Sequence, residues 1–327
     1  MKILIALHHP FVLWNAPPWL AHRLRQNFPG QQFTQVEGYE GVSESICEAE
    51  VAIAWSSRPE QFAQARNLKW VHSPAAAVHQ LMFPELAASN VVVTNAREIH
   101  GPVVAEHALA LVMALAKRLP QAMLLQQKLI WGQQAIWHEK PTTREISGGT
   151  VVVIGMGNIG RQFTQHARAL GMRVLAIREH PETGAEGADA VFGQDRLDLA
   201  FPQADYILLA APLTPATRNL INEETLKLVK SHCYIINVGR GPLIDDAALV
   251  AALRERRIAG AALDVFSEEP LPADSPYWRL ENVLITPHTA AVTEKLWDRH
   301  YQLISENLRR YLAGQPLLAM VDKQRGY

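Results

Sequence analysis

Three polar side chains follow apolar runs that have the composition of buried strands. Arg240 comes after YIINVG, Glu269 after AALDVFS, and His288 after LITP. Ligands of open α/β sheets bind outside the carboxyl ends of the strands, so groups placed there converge on one crevice. Each also has an ordinary structural explanation: a helix-capping arginine, a solvated loop glutamate and a histidine satisfied after a proline. Together with a dinucleotide-binding turn, they suggest redox chemistry.

A glycine-rich turn of this kind is present in VVVIGMGNIGRQF, where Gly155, Gly157 and Gly160 have the spacing G-x-G-x-x-G. The turn follows an apolar run and opens a predicted helix that Gly171 closes. The first glycine permits the tight turn, the second lets the backbone approach a pyrophosphate, and the third lets helix and strand pack closely. A glycine-rich turn without a ligand is the competing interpretation.

The residue that selects the dinucleotide is expected at the end of the next predicted strand, RVLAIR. Arg178 stands there, 18 residues after Gly160, where an acidic residue usually holds the ribose 2'-hydroxyl of NAD. An arginine cannot accept those hydrogen bonds but can bind a 2'-phosphate, which favours NADP(H). Glu179 follows and would favour NAD(H) if it faced the ribose instead. A solvated strand end is the third interpretation of Arg178.

The elements that position these groups are indicated by alternating apolar runs and helix-length mixed segments. Strand followed by helix is typical of a parallel α/β sheet, because each crossover helix must cover one face of it. One such series fills the first hundred residues and a second begins at Thr150. The predicted strands are KILIAL, EVAIAW, LKWVHS and VVVTN, then TVVVIG, RVLAIR, DYILLAA, YIINVG, AALDV and NVLITP.

Three other segments have distinct patterns. Residues 102–119 are apolar almost all round and predict a buried helix, whereas a long amphipathic segment predicts a helix that ends at Gly314. Residues of about 120–147 lose periodicity and contain Trp131 and Trp137, which predicts an extended arm. The two tryptophans are buried either against a second subunit or under their own domain.

Composition excludes several classes of protein. The chain has 327 residues, 48% hydrophobic and 19% charged, which excludes disorder and allows two domains. Lys and Arg number 31 against 32 Asp and Glu, so bulk charge indicates neither a nucleic-acid nor a membrane partner. Cys47 and Cys233 lack the spacing of a disulfide framework or a zinc site, so we expect a cytoplasmic protein without a metal. No targeting or transmembrane segment is predicted.

Segments along nearly the whole chain resemble the D-isomer-specific 2-hydroxyacid dehydrogenase family, and especially its glyoxylate and hydroxypyruvate reductase members. Several of these segments are specific to the family rather than to dinucleotide binding in general. They are LKWVHSPAAAVHQL, VVVTNAREIHGPVVAEHALALVMAL, VVVIGMGNIG, AAPLTPATRNLI, INVGRGPLIDDAAL, AALDVFSEEPLP and LITPHTAA.

The resemblance implies catalytic roles for the three polar groups. His288 would exchange a proton with the substrate oxygen while nicotinamide exchanges a hydride with carbon 2. Glu269 would hydrogen-bond His288 and favour its protonated form. Arg240 would bind the carboxylate and carbonyl of a 2-oxo acid through its planar fork of donors. The implied substrate-binding set is Ala76, Ala77, Arg240 and His288.

The resemblance also implies cofactor contacts. Asp264 would contact the nicotinamide carboxamide, Pro212 would pack against the cofactor, and the backbone from Val238 to Arg240 would line its nicotinamide end. The cofactor is expected to be NADP(H) in the first place and NAD(H) in the second. The expected binding set is Gly155, Gly157, Asn158, Ile159, Gly160, Arg178, Pro212, Val238, Gly239, Asp264 and Ala290.

The fold implied by the resemblance is α/β, with two Rossmann-like domains that have parallel sheets. A cofactor domain would be inserted into a flavodoxin-like substrate domain. Residues 1–98 and 289–327 would form the substrate-binding domain, and residues 99–288 the dinucleotide-binding domain. A dimerisation arm at about 120–147 would embrace a second subunit, so a homodimer is expected.

The chain departs from the family in two places. Ala75 and Ala77 stand in the loop SPAAAVHQ, and Ala291 follows the histidine, at positions where the family often has glycine. Alanine adopts left-handed backbone poorly. The loops Trp55–Arg58 and Pro74–Val78 should shape the substrate pocket, but the sequence does not give their geometry.

The sequence is therefore compatible with three functions. The first is an NADP(H)-preferring reductase of small 2-oxo acids such as glyoxylate and hydroxypyruvate. The second is a phosphoglycerate dehydrogenase, for which Arg58 could supply charge for a phosphate. The third is a dinucleotide-sensing corepressor, because some relatives use this fold to recruit proteins and fold does not determine function.

Overall fold

The computed structural model of the chain describes residues 1–55, 57–78 and 81–324. It contains two compact units, Met1–His100 with Thr293–Tyr327, and Gly101–Val292. Each unit is an α/β domain with a parallel sheet, so the predicted fold class is confirmed. Ser56 of the expected pocket loop, residues 79–80 of the loop SPAAAVHQ and residues 325–327 of the expected substrate domain lie outside the described residues.

The first unit has a parallel sheet of five strands in the order β2-β1-β3-β4-β5, the flavodoxin-like order of a doubly wound fold. Its strands are β1 (Lys2–Ala6), β2 (Gln32–Gln35), β3 (Val51–Ala54), β4 (Trp70–His72) and β5 (Val92–Thr94). Its helices in this part of the chain are α1 (Pro18–Asn27), α2 (Glu40–Ile46), α3 (Pro59–Phe62) and α4 (Pro84–Ala88).

The second unit has a parallel sheet of seven strands in the order β12-β11-β10-β9-β6-β7-β8. The strands are β6 (Thr150–Ile154), β7 (Arg173–Ile177), β8 (Ala190–Phe192), β9 (Tyr206–Leu209), β10 (Tyr234–Asn237), β11 (Gly260–Leu263) and β12 (Val283–Ile285). The helices are α5 (Gly101–Ala116), α6 (Leu119–Gln127), α7 (Gln133–His138), α8 (Asn158–Ala169), α9 (Leu197–Ala200), α10 (Glu223–Leu226) and α11 (Asp246–Arg254).

The chain returns to the first unit as α12 (Leu296–Leu312), which covers one face of the five-stranded sheet. Ile304 and Leu308 of α12 are fully buried and share a core with Leu20 and Leu24 of α1 and with Ile3 of β1. Gly314 follows this helix with φ +64°, the left-handed conformation that ends many helices. The predicted C-terminal helix is therefore present.

Both faces of the seven-stranded sheet are buried, which explains why its strands read as continuous apolar runs. Val151 and Val153 of β6 face one core, together with Ala105 and Ala108 of α5. Val152 of β6 faces the other core. The predicted helix at residues 102–119 thus corresponds to α5, and most of its apolar residues are used in packing, although Met113 is exposed.

The structure differs from the sequence prediction in the segment of about 120–147 and at two edge strands. The segment contains α6 and α7, although a loss of periodicity predicted an extended arm. Its Leu, Met, Ala and Gln residues favour helix individually, but they are not sorted into apolar and polar faces. The edge strands β2 and β8 were not predicted, because both are short and neither is fully buried.

Within the part of the chain that the structure describes, no single helix is long and apolar enough to cross a membrane. The helices α5 and α6 have the length and apolar composition of a membrane-spanning segment only when they are taken together, and the pair is bent by 66°.

Candidate active site

The carboxyl ends of the seven-stranded sheet carry most of the predicted site residues. The strand order places six of these ends in one row, from β7 through β6, β9, β10 and β11 to β12. Neighbouring strands are about 4.8 Å apart, so the row is roughly 24 Å long and suits an elongated ligand. The segments after these strands contain, in the same order, Arg178, Gly155, Pro212, Arg240, Glu269 and His288.

The glycine-rich turn between β6 and α8 has three glycines with different physical reasons. Gly155 has φ +97°, and an added Cβ would lie 2.7 Å from the Cα atom of Ala211. A Cβ on Gly160 would lie 2.0 Å from the carbonyl oxygen of Gly155. A Cβ on Gly157 would meet no described atom within 4 Å. Gly157 is therefore not required by packing, and it lies directly before the first turn of α8, where backbone N–H groups can bind an anion.

The predicted cofactor residues beside this turn belong to the same edge. Asn158 begins α8, and its Oδ1 accepts a hydrogen bond of 3.2 Å from Nη2 of Arg161. Ile159 is half-buried against the core. Pro212 is exposed after β9, and its carbonyl accepts a hydrogen bond of 2.7 Å from Oγ1 of Thr217.

Arg178 lies directly after β7, with 19% of its side chain exposed. Its Nη1 donates a hydrogen bond of 2.9 Å to the carbonyl of Gly184 and lies 3.9 Å from the Glu186 carboxylate. Glu179 is more exposed, at 56%, and lies 3.9 Å from Nε2 of His180. The guanidinium is thus fixed at the strand end rather than extended into solvent.

Arg240 is positioned by a tight turn after β10. The buried Asn237 accepts a hydrogen bond from the N–H of Gly239 at 3.0 Å and donates one to the carbonyl of Arg240 at 2.9 Å. Gly241 passes the next segment so closely that an added Cβ would lie 1.9 Å from the carbonyl carbon of Phe266. These contacts place Arg240 beside the segment that carries Glu269, together with the buried residue Val238.

Glu269 and His288 form a hydrogen-bonded pair. Oε2 of Glu269 lies 2.6 Å from Nδ1 of His288, and its Oε1 accepts a bond of 2.9 Å from the N–H of Phe266. Nε2 of His288 is therefore the ring nitrogen left for another partner. The side chains of His288 and Glu269 are 49% and 34% exposed, so a small molecule can reach them.

The charges in this group support one another. Burial alone would raise the pKa of Glu269, but the hydrogen bonds from His288 and Phe266 and the positive charges of His288 and Arg240 outweigh it, so the pKa is lowered. Burial lowers the pKa of Arg240, and the charge of Glu269 opposes that effect. An ionised carboxylate is therefore hydrogen-bonded to an imidazole and interacts electrostatically with a guanidinium.

Asp264 holds the backbone that carries His288. Its buried carboxylate accepts hydrogen bonds from Oγ1 of Thr286 at 2.6 Å and from the N–H groups of Thr289 at 2.9 Å and Ala290 at 3.1 Å. Its carbonyl accepts a bond of 2.9 Å from the N–H of His288, which has φ +53°. The left-handed conformation of a non-glycine residue is thus fixed by bonds on both sides.

His107 and Thr286 extend this arrangement, and sequence reasoning gave them no role. Nε2 of His107 lies 3.1 Å from Oγ1 of Thr286 and 3.6 Å from Oδ1 of Asp264. Asn237 and Gly241 were likewise missed as positioning residues. In the sequence these four residues are marked only by the motifs that contain them: INVGRGPL for Asn237 and Gly241, VVAEHALAL for His107, and LITPHTAA for Thr286.

The remaining predicted substrate residues, Ala76 and Ala77, belong to the first unit. In that unit Nδ2 of Asn95 donates a hydrogen bond of 2.7 Å to the carbonyl of Ala76. The N–H of Ala96 donates a hydrogen bond of 3.1 Å to the carbonyl of Ala75. Neither Ala75 nor Ala77 has a positive φ. The loop thus accommodates alanine without left-handed backbone at the positions where the family often has glycine.

Comparison with known proteins gives the family. Residues 109–290 match the family described as "D-isomer specific 2-hydroxyacid dehydrogenase, NAD binding domain". A structure of a D-isomer specific 2-hydroxyacid dehydrogenase from Xanthobacter autotrophicus, in complex with NADPH and MES, is 31% identical, with a TM-score of 0.84 and coverage of 99% of each chain.

Two curated relatives have different names. A glyoxylate reductase of Korarchaeum cryptofilum is 32% identical over 260 residues, which cover 78% of this chain and 76% of the relative. A D-3-phosphoglycerate dehydrogenase of Synechocystis is 37% identical over 265 residues, or 80% of this chain. The matched region is about half of that second relative, at 46% of its length.

The chain belongs to the D-isomer specific 2-hydroxyacid dehydrogenase family and contains its NAD-binding domain. The resemblance predicted from the sequence motifs is therefore confirmed, as is a nicotinamide dinucleotide as cofactor.

Proposed function

We propose that the protein reduces small 2-oxo acids of the glyoxylate and hydroxypyruvate type to D-2-hydroxy acids, with NADPH as the preferred cofactor. The observation that carries this proposal is the hydrogen bond of 2.6 Å between Glu269 and His288 near the partly buried Arg240. A proton donor and an anion-binding fork at one place are what reduction of a 2-oxo acid requires.

In this mechanism each of the three side chains has a separate task. Arg240 binds the carboxylate and the carbonyl oxygen of the substrate through paired donors. Glu269 keeps the imidazole of His288 oriented through Nδ1, so Nε2 donates the proton to the substrate oxygen. The dinucleotide supplies the hydride when bound. Asp264 maintains the loop that carries His288, and the contact of Asp264 with the nicotinamide carboxamide remains a prediction.

The preference for NADPH is proposed from Arg178. A hydrogen bond to a charged group contributes roughly 1.5–3 kcal/mol, which corresponds to about a ten- to hundredfold preference. The related dehydrogenase of Xanthobacter autotrophicus was solved with NADPH, which supports the proposal. Arg178→Asp removes the phosphate contact and supplies an acceptor for a 2'-hydroxyl, so it should reverse the preference in kcat/KM. A wild-type enzyme that prefers NADH would refute the assignment and favour Glu179 as the selecting residue.

The experiment that tests the activity is a panel of 2-oxo acids assayed for oxidation of NADPH and NADH. We expect the highest kcat/KM with glyoxylate or hydroxypyruvate. Oxidation of D-3-phosphoglycerate with NAD(P)⁺ at a higher kcat/KM would favour the phosphoglycerate dehydrogenase, which the similarity to the Synechocystis protein supports. Turnover of no 2-oxo or 2-hydroxy acid would favour the dinucleotide-sensing corepressor.

We also propose that the protein is a homodimer and that residues of about 120–147 form the contact between subunits. Several large apolar side chains of this segment are exposed in the single chain, including Leu129 at 95% and Trp131 at 92%. Exposed apolar patches of this kind are typical of interaction surfaces. Sedimentation velocity should show a dimer for the wild type and a shift to monomer for Trp131→Ser. A monomeric wild type would contradict the proposal.

The seven-stranded unit is proposed to bind the dinucleotide and the five-stranded unit to contribute Ala76 and Ala77 to substrate binding.

A further inference from the structure

The loop between β7 and β8 carries a glutamate that contacts two arginines. Oε1 of Glu186 lies 3.5 Å from Nη1 of Arg161 and 3.9 Å from Nη1 of Arg178. About a third of the Glu186 side chain is exposed. One carboxylate oxygen therefore lies between two guanidinium groups that come from different elements.

Both arginines lie along the edge that is proposed to bind the dinucleotide. Arg161 is in the first turn of α8, directly after the glycine-rich turn, and its Nη2 also binds Asn158. Arg178 follows β7 and is held by the carbonyl of Gly184. Each arginine therefore has one further hydrogen bond besides its contact with Glu186.

The backbone of the loop directs Glu186 toward these arginines. Gly184, Glu186 and Gly187 have φ angles of +113°, +48° and +90°. The N–H of Ala188 donates a hydrogen bond of 2.8 Å to the carbonyl of Ala185, which closes a turn around Glu186. The carboxylate is thus presented by a turn of defined conformation.

We propose that Glu186 is a specificity-determining residue that weakens the binding of the 2'-phosphate and so limits the preference for NADPH over NADH. This inference rests on the proposed function, in which Arg178 binds the 2'-phosphate. A phosphate with nearly two negative charges at neutral pH must share Arg178 and Arg161 with the Glu186 carboxylate. A dinucleotide without that phosphate does not experience this repulsion.

The test compares two fragments that differ only in the 2'-phosphate, 2',5'-ADP and 5'-AMP. Their Kd values are measured by isothermal titration on the full chain at one fixed, low ionic strength. Exposed charge pairs contribute up to about 1 kcal/mol, so Glu186→Gln should tighten 2',5'-ADP binding by roughly fivefold and leave 5'-AMP unchanged. The same variants titrated with NADPH and NADH should show the same difference.

The matched control is Glu182→Gln. Glu182 lies in the same loop, is 69% exposed and contacts His180 at 3.2 Å. The substitution removes the same charge as Glu186→Gln, but Glu182 has no ion pair with Arg161 or Arg178. Glu182→Gln should therefore change the affinity for 2',5'-ADP by much less than Glu186→Gln.

Each contrary result has a distinct meaning. An equal increase in the affinity for 2',5'-ADP in Glu186→Gln and Glu182→Gln would overturn the proposal, because the total charge of the loop would then determine that affinity. Unchanged or weaker 2',5'-ADP binding by Glu186→Gln would overturn it as well. If Arg178→Ala binds 2',5'-ADP as tightly as the wild type, the cofactor assignment of the proposed function is wrong, and this inference fails with it. Thermal unfolding of each variant shows whether the fold is intact.

Discussion

Replacing Glu269 with glutamine is expected to move the alkaline limb of the pH profile for 2-oxo acid reduction to lower pH. The wild-type carboxylate accepts a hydrogen bond from Nδ1 of His288 at 2.6 Å and places a negative charge beside the imidazole. Glutamine keeps an oxygen acceptor but removes the charge. Proton donation from His288 to the substrate then lacks a neighbouring negative charge, so the alkaline limb should move to lower pH.

The size of this shift follows from the exposure of the pair. A hydrogen bond between charged groups contributes roughly 1.5–3 kcal/mol when protected, and an exposed ion pair only about 0.2–1 kcal/mol. His288 is 49% exposed and Glu269 34%, so a value of about 1 kcal/mol is appropriate. At 1.4 kcal/mol per factor of ten, kcat/KM on the alkaline side should fall by roughly fivefold in the variant.

The effect of acid pH on the stability of the folded wild type depends on the pKa of Glu269. Its pKa is below the usual value because the bonds from His288 and Phe266 and the nearby positive charges outweigh the effect of burial. A carboxyl group with a lowered pKa in the folded protein contributes stability above its unfolded-state pKa. That contribution is lost as the pH falls through the lowered value. The difference in stability between wild type and variant should therefore shrink in acid.

The assay is kcat/KM for the best 2-oxo acid with a saturating dinucleotide, measured from acid to alkaline pH. Glu268→Gln is the matched control, because Glu268 is an exposed glutamate one residue earlier and its replacement removes the same charge. An unchanged limb in Glu269→Gln, or an equal shift in Glu268→Gln, would refute the assignment of Glu269 as the specific partner of His288.

Four further substitutions test the remaining parts of the site. His288→Ala should lower kcat by roughly 10²- to 10⁴-fold with little change in the Kd of the dinucleotide, and near-wild-type turnover would exclude His288 as the proton donor. Arg240→Lys should raise KM and lower kcat, because lysine keeps the charge but loses the paired donors; a change in salt dependence alone would place Arg240 outside the pocket. Gly155→Ala should destabilise the fold by roughly 2–4 kcal/mol in denaturant unfolding, since its Cβ would lie 2.7 Å from the Cα atom of Ala211, whereas Gly157→Ala should leave stability nearly unchanged and weaken dinucleotide binding.

The fold was largely predictable because its strongest signals are local. Continuous apolar runs such as TVVVIG have the length and composition of strands buried on both faces, and the glycine-rich turn marks the start of α8. The strand β2 escaped prediction because it is QFTQ, mostly polar and mostly exposed, and β8 because its apolar run has only three residues. The helix α6 escaped because its apolar residues do not lie on one face.

The site was predictable in its residue types but not in its supports. Arg240, Glu269 and His288 could be proposed because each ends or follows a strand, and the resemblance adds their roles. The fixation of the His288 backbone by Asp264 could not be predicted, because it depends on bonds between segments that are 22 to 26 positions apart. The contact of Glu186 with two arginines depends in the same way on a loop conformation that the sequence does not specify.

The order of the strands has a consequence for engineering. Arg178 follows β7 and His288 follows β12, and four other strands of the sheet lie between these two strands. Substitutions farther apart than about 10 Å and without shared partners usually have additive free energies. Changes at Arg178 that alter the choice of dinucleotide should therefore combine with changes near His288 without mutual interference, so that each property can be optimised in its own library and the best variants then merged.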